Sequence, residues 1–437
     1  MNSTLRNVGY FLIMTALIVV VGQLQSWNLA LSILNLCIIS AIMALGVNIQ
    51  WGYAGLFNVG VMGFAALGGM AAMLISMPPV TEAWSAGGSG MALGVLTMLV
   101  TIAAAVFTFR SLAKGSLRTL AIIIICTLGY AVARSIFDPA TGAIEKVNPA
   151  ATGYLGGLGL PILLSWPIGG LLAGCAAWVV GKITLGLRTD YLAIATLGIS
   201  EIIVAMLKNE DWMTRGVKNV VGLPRPVPYE INLQQSDWFI QLCTRLGTEP
   251  VTFSSIFVKL CYASLFTVVL LVVLYLSEKA LRSPWGRMMR AIRDNEVSSN
   301  AMGKNVTARH LQVFILGSVV VGIAGAMLTT LDGQLTPASY QPLRFTFLIW
   351  VMVIVGGSGN NWGAVLGGFV IWFFWIQAEP MGTWLMDVIT ANMDANSALR
   401  AHLLDSAQHM RLMTMGLILL LALRFSPRGL IPERTGR

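Results

Sequence analysis

The chain has 437 residues, 56% of them hydrophobic and only 11% charged, with a formal net charge of +9. A soluble domain carries about 25% charged residues, so a surface wetted on all sides is excluded and the sequence reads as an integral membrane protein. The excess of Lys and Arg is assigned to loops on the cytoplasmic side and to anionic lipid headgroups rather than to nucleic acid.

Taken in chain order, the apolar runs are 9–22, 29–49, 56–75, 91–109, 118–137 and 162–181, followed by 191–207, 257–276, 311–331, 345–355, 364–376 and 412–423. The fold class expected is all-α, a polytopic transmembrane bundle of about ten to twelve spans, since a span needs about 20 apolar residues. Runs 9–22, 345–355 and 364–376 are short by that measure and decide the count. The first is expected to be a retained span, because Gln23, Gln25 and Trp27 follow it where a cleavage site would need small residues. The other two flank Gly356-Gly357-Ser358-Gly359-Asn360-Asn361. They are expected to be tilted spans or a re-entrant hairpin, since irregular backbone at membrane depth must be covered by protein or line a watery cavity. The glycines there suit either close helix approach or a ligand-binding backbone loop.

Positive charge collects at Arg6, at 110–118 and 182–188, across 278–310, and at Arg424, Arg428, Arg434 and Arg437. Twelve spans put all of these on one side, which the positive-inside rule makes cytoplasmic, with both termini inside. The connections 77–90, 138–161, 209–256, 332–344 and 377–411 then fall outside. The 209–256 connection is long enough to form a small folded cap, and 392–404 is expected to lie as an interfacial helix. The cysteines and the three histidines have no metal-ligand spacing. There is no P-loop, because Gly181-Lys182-Ile183 lacks the Ser or Thr and the preceding glycine is misplaced. Leu331-Asp332-Gly333-Gln334 faintly echoes a nucleotide-binding signature but sits on the outer side. No cofactor is expected on this chain.

The connection 278–310 is the most informative. Ser283 is a good N-cap and Pro284 fits the first helical position. Trp285, Met288, Met289 and Ile292 recur at helical spacing as one apolar stripe. Such a helix either lies on the lipid surface or docks in a partner's groove. Intramembrane polar groups form a second class. Asn35, Asn48, Gln50 and Asn58 are placed to line a path. Glu201 lies 11 residues after Asp190, roughly 16 Å along the helix at 1.5 Å per residue, hence near mid-membrane. An unpaired carboxylate there costs about 2.5–3.5 kcal/mol or more. Glu201 is therefore read either as hydrogen-bonded between helices or as a contact for a ligand ammonium. Thr196 and Ser200 are expected to share its face, and Asp190 to favour the helix start.

The run from Gly286 to Glu296, continuing through Asn300-Ala301-Met302-Gly303-Lys304, resembles the coupling loop of bacterial ABC-transporter permeases for branched-chain amino acids, most of all the M-type subunit. The stretches 187–203 and 355–368 are similar to the same family, with a weaker echo at 52–72. Ser298 and Ser299 depart from it where alanines are usual, as does Asn300 where Glu is frequent. The resemblance implies one transmembrane permease domain over 1–437, with a family-like core at about 29–76 and 160–425 and extra spans inserted at about 91–137. It implies a coupling helix in which Gly286, Arg287, Arg290, Ala291, Arg293, Asp294, Glu296 and Gly303 meet an ATPase, and a substrate path touched by Asn58, Thr196, Ser200 and Glu201. It further implies partners: a second homologous permease, two cytoplasmic ATPase subunits carrying ATP and Mg²⁺, and a periplasmic substrate-binding protein. Location in the bacterial inner membrane follows. Urea or short amides are the alternative cargo. An ion-coupled secondary transporter is the alternative class, weakened by the lack of a visible repeat.

Overall fold

The computed structural model describes residues 3–150, 152–391, 393 and 397–433. Each of the twelve apolar runs carries a helix. The first half of the chain contains α1 (Ser3–Leu24), α2 (Trp27–Ala54), α3 (Val61–Ser76), α4 (Thr81–Ser111), α5 (Ser116–Lys146), α6 (Ser165–Thr184) and α7 (Thr189–Asn209). The second half contains α8 (Pro250–Arg282), α9 (Pro284–Asp294), α10 (Val306–Asp332), α11 (Pro342–Gly356), α12 (Asn361–Thr390) and α13 (Met410–Phe425). Among the described residues nine helices are long and apolar enough to cross a bilayer. A bent pair ending in α13 offers a tenth, and α3 and α11 are shorter apolar helices. The chain is a polytopic helical bundle. Arg434 and Arg437 lie outside the described residues, as does part of the expected interfacial helix at 392–404; Ala398–Ser406 is helical.

Contacts order the two ends of the bundle. Helix α9 lies between the C-terminus of α8 and the N-terminus of α10, so Pro250 and Asp332 mark the far end. Asn28 at the start of α2 hydrogen-bonds Ser255 near the start of α8 (2.8 Å), and Gln25 meets Gln377 of α12 (3.1 Å), which places these at the far end too. Gly52 near the end of α2, Gly359 before α12 and Glu433 all reach Arg293 of α9. The positively charged connections named above therefore gather at the α9 end, as expected from their spacing.

The two short runs flanking the glycine break differ in outcome. Run 364–376 lies in a 30-residue helix, about 45 Å long, whose start the Asn360 side chain caps by accepting from Trp362 N (3.0 Å) and Gly363 N (3.4 Å). Run 345–355 stays short, at 15 residues. Run 9–22 sits in a 22-residue helix.

The bundle's centre is α10, which packs on α2, α3 and α6. Small residues set these contacts. A Cβ at Gly68 of α3 would overlap the Gly322 carbonyl of α10, and one at Gly325 would overlap the Ala65 carbonyl. Close backbone approach is how apolar helices associate without a hydrophobic driving force. By contrast, α4 and α5 form an antiparallel pair whose apolar side chains, Leu99, Phe107 and Leu120 among them, face outward. At the far end, the 209–256 connection folds as the expected cap. It contains the helices Glu230–Gln234 and Asp237–Leu246 and β1 (Val220–Val221), which pairs antiparallel with β2 (Gln334–Leu335). Buried Arg215 ties the cap to 150 by donating to the Ala150 carbonyl at 2.7 Å.

Replacing Gly68 by Leu should prevent α3 and α10 from closing. Over-packing costs about 1–3 kcal/mol when side chains can yield, and here the obstacle is backbone. A melting curve of the purified protein should shift down for Gly68→Leu and stay put for Gly198→Ala, where nothing lies within 4 Å of the added methyl.

Candidate coupling site at two helix breaks

Two interruptions of regular backbone meet inside the bundle. The first follows α2. Gly55 takes the left-handed conformation (φ 70°) and the chain reverses, with Gly55 N donating to Trp51 O and Leu56 N to Gln50 O, a helix-terminating pattern that satisfies the last carbonyls. The second is 357–360 between α11 and α12, with Gly357 and Gly359 at positive φ. Here the close-approach reading of the glycines holds: a Cβ on Gly356 would overlap the Gly363 carbonyl, and one on Gly367 the Met352 carbonyl.

Amide side chains stitch the breaks together. Asn48 Nδ2 donates to Asn361 Oδ1 (3.1 Å), while Asn48 Oδ1 accepts from the Gly359 backbone (2.8 Å). The Tyr53 hydroxyl also donates to Asn361 Oδ1. Asn361 Nδ2 reaches Glu278 of α8 (3.0 Å). On the other side Gln50 donates to Phe314 O (2.9 Å) and Ser318 Oγ (3.1 Å) of α10 and accepts from Asn58 Nδ2 (2.9 Å). Asn58 Oδ1 takes the Gly60 N–H (2.8 Å), and its carbonyl takes the Trp350 indole N–H (3.0 Å). Each of Asn48, Gln50, Asn58 and Asn361 is at most 1% exposed. Asn35 stands apart, donating to the Lys259 carbonyl at 3.0 Å.

Helix α9 is bolted to this network. Ser283 caps it through Gly286 N (3.4 Å), and a Cβ on Gly286 would strike the Leu281 carbonyl. The apolar stripe faces neither lipid nor a partner's groove: Met289 and Ile292 are buried, and Trp285 and Met288 pack on the bundle's own core. Arg293 turns inward. Its guanidinium donates to the Gly52 carbonyl beside the first break and pairs with Glu433 at 2.9 Å. Glu433 lies against Gly359, and the segment before it runs under the second break, with Leu430 N on Val355 O and Ile431 N on Gly356 O, both 2.9 Å. Arg290 borders a cavity with Glu278, Asn360 and Glu433. Arg287, Ala291, Asp294, Glu296 and Gly303 are exposed. The exposed apolar side chains Val297 and Met302 stand beside them.

The α7 residues separate. Thr196 and Ser200 are buried; Thr196 Oγ1 accepts from Val59 N at 3.1 Å and so touches the first break. Glu201 does not share their face. It is exposed on the outside of the bundle and makes no hydrogen bond or ion pair among the described residues, so the interhelical pairing expected of it does not occur within this chain. Five residues along a helix is 500° of turn, which carries Glu201 away from Thr196.

Residues 112–423 match the family described as branched-chain amino acid transport system / permease component. The chain belongs to this family. Among its relatives, the high-affinity branched-chain amino acid transport system permease protein LivM of Salmonella typhimurium is 30% identical over 237 residues, 52% of this chain and 53% of that protein. A probable LivM of Methanocaldococcus jannaschii is 25% identical over 300 residues, 68% and 74% of the two chains. The D-allose transport system permease protein AlsC of Escherichia coli is 24% identical over 259 residues, 55% and 67%. The chain spans about half the length of the enterobacterial LivM proteins it matches. No solved structure matches it. As a member of this permease family with many apolar helices, it is a multi-pass membrane protein.

Removing Asn361 would strand three groups at once: Asn48 Nδ2, the Tyr53 hydroxyl and a Glu278 oxygen. The Asn48 amide and the Tyr53 hydroxyl are buried, and each buried orphan costs about 1–3 kcal/mol, whereas water can reach the partly exposed Glu278. Asn361→Ala should therefore lower the melting temperature well beyond Asn35→Ala, which removes only a second donor to the Lys259 carbonyl, a mid-helix group of α8.

Proposed function

We propose that this chain is the permease subunit of a bacterial ABC importer for branched-chain amino acids, driven by ATP hydrolysed on separate subunits. The observation that carries the reading is the Arg293 bridge between a capped, exposed helix and two buried helix breaks. A helix of this kind has no purpose as a mere linker, since 278–310 could join α8 to α10 without it. Its exposed face, Arg287, Ala291 and Asp294, together with Glu296 just beyond it, is what an ATPase subunit would grip. Force on that face reaches the Gly52 carbonyl and the Glu433 carboxylate through one guanidinium. Charge-assisted hydrogen bonds of this type are roughly twice as strong as neutral ones, so α9 and the breaks would move as one body.

The α9 end is then cytoplasmic, with both termini inside, and the cap at the far end meets a periplasmic binding protein. Glu201 supports a second permease. Facing lipid near mid-membrane it would cost about 2.5–3.5 kcal/mol, whereas a neighbouring subunit or a shared aqueous path would relieve it. An ion-coupled carrier would instead be built from internal repeats with its site at their interface, and no such repeat is visible in the sequence. The relatives named for branched-chain amino acids favour that cargo over urea or short amides.

The test uses two substitutions on the exposed face, Ala291→Trp and Glu296→Lys, which disturb no buried contact. Each should abolish co-purification of the ATPase subunits and reduce leucine uptake at least tenfold. Uptake into vesicles without ATP, or intact ATPase association in both variants, would overturn the reading.

A further inference from the structure

At the end opposite α9, a cavity of about 230 Å³ opens between α2, α3, α10, α11 and α12. It lies below the roughly 300–1,000 Å³ of pockets that take drug-sized ligands, so it suits one small solute. Its wall is apolar, built from Ile39, Met43, Met62, Ile349, Met352 and Trp372. Its polar groups gather on one side, where α10 ends and the 333–341 connection crosses. These are Asp332, Thr329, Gln334, Thr336, Ser339 and Tyr340, with Ser40 of α2 the one polar residue on the other wall. No other ionisable carboxylate or base lines the cavity.

Two features mark a built site, and Asp332 stands at its solvent-exposed mouth with neither an ion pair nor a side-chain hydrogen bond among the described residues. Thr336 Oγ1 and Trp372 Nε1 are buried atoms without partners, and such groups are rare unless something else meets them. The Tyr340 hydroxyl is held 2.8 Å from Thr329 Oγ1, in a space open only because Gly69 has no side chain. Burial pushes the Tyr340 phenol up from its ordinary value, so it stays protonated and able to donate.

We propose that this cavity is the permease's own receptor for substrate arriving from outside, with Asp332 taking the α-ammonium of a small apolar amino acid and the methionine-rich wall taking its branched side chain. The hydroxyls of Thr336, Ser339 and Tyr340 supply donors for the carboxylate. The inference rests on the transport reading and adds the site and its selectivity. The wall disfavours a hexose, which would leave its hydroxyls facing methionines and isoleucines without partners. Met side chains adapt to several branched shapes, which fits one site serving leucine, isoleucine and valine. The position also fits the mechanism: Ile349 and Met352 flank Trp350, whose indole holds the first break through Asn58, so an occupied cavity would bear on the segment that α9 moves from the other end.

The experiment follows the thermal stability of the purified permease–ATPase complex, without binding protein, against L-leucine, isocaproate and D-allose. Leucine should raise the melting temperature of the unaltered complex, and isocaproate, which lacks the ammonium, should need at least tenfold higher concentration. Asp332→Asn should weaken the leucine response at least tenfold, and Ser339→Trp, at the exposed rim, should abolish it. If Asp332→Asn does not assemble, Ser339→Trp and the ligand series decide alone. Stabilisation by D-allose in place of leucine, or an unchanged leucine response in the variants, would overturn the proposal. So would leucine uptake by cells carrying the whole transporter when the purified complex shows no leucine response, and in that case the transport reading would stand. Leucine binding without leucine uptake would sink the transport reading and leave the binding site.

Discussion

Backbone that leaves a helix inside a packed interior must find partners for its peptide groups, and that constraint organises this protein. Four amide side chains, Asn48, Gln50, Asn58 and Asn361, meet it. Each offers a donor and an acceptor, and together they tie the reversal after α2 to the break before α12 and to the backbone of α10. A buried group left without a partner costs about 1–3 kcal/mol, so the breaks are stable only while they face each other. The glycines of α3, α6 and α10 serve the same end, because the breaks meet only if the surrounding helices come within backbone contact.

The same arrangement explains how one end of the molecule could speak to the other. Arg293 and Glu433 clamp α9 and the chain's last described residues onto both breaks. From there Trp350 leads along α11 toward the cavity, and Gln50 leads along α10 toward Asp332. These are packed, rigid elements with hydrogen-bonded joints, the kind of network through which two arrangements of a bundle can be coupled. The α4–α5 pair stands outside this path and turns its apolar side chains outward.

Much of this was legible in the sequence, for identifiable reasons. Apolar runs mark spans because the bilayer demands them, and the positive connections do fall at one end. The N-cap at Ser283 and the helix after it were readable from local chemistry. Which surface the stripe of Trp285, Met288, Met289 and Ile292 would cover was not, because besides the adjacent α8 it packs on α2, more than 200 residues away in sequence. The same holds for the amides. Asn48 and Asn58 looked polar and intramembrane, but their partners are about 300 residues on, or depend on a reversal that only the fold supplies. The run 364–376 read as too short because hydropathy falls at Gln377 and Glu379, whereas the helix continues past Pro380. Asp332 read only as part of a faint nucleotide-binding echo on the outer side, because the cavity it borders is walled by four other helices that only the fold brings to it.

The central claim is that Arg293 transmits work from α9 to the breaks rather than merely holding the helix in place. It is tested most directly by measuring ATP hydrolysis and leucine uptake together in the reconstituted transporter carrying Arg293→Gln. The account predicts that the ATPase subunits still bind and still hydrolyse ATP, while leucine transported per ATP falls at least tenfold. An unchanged ratio of leucine to ATP would contradict it.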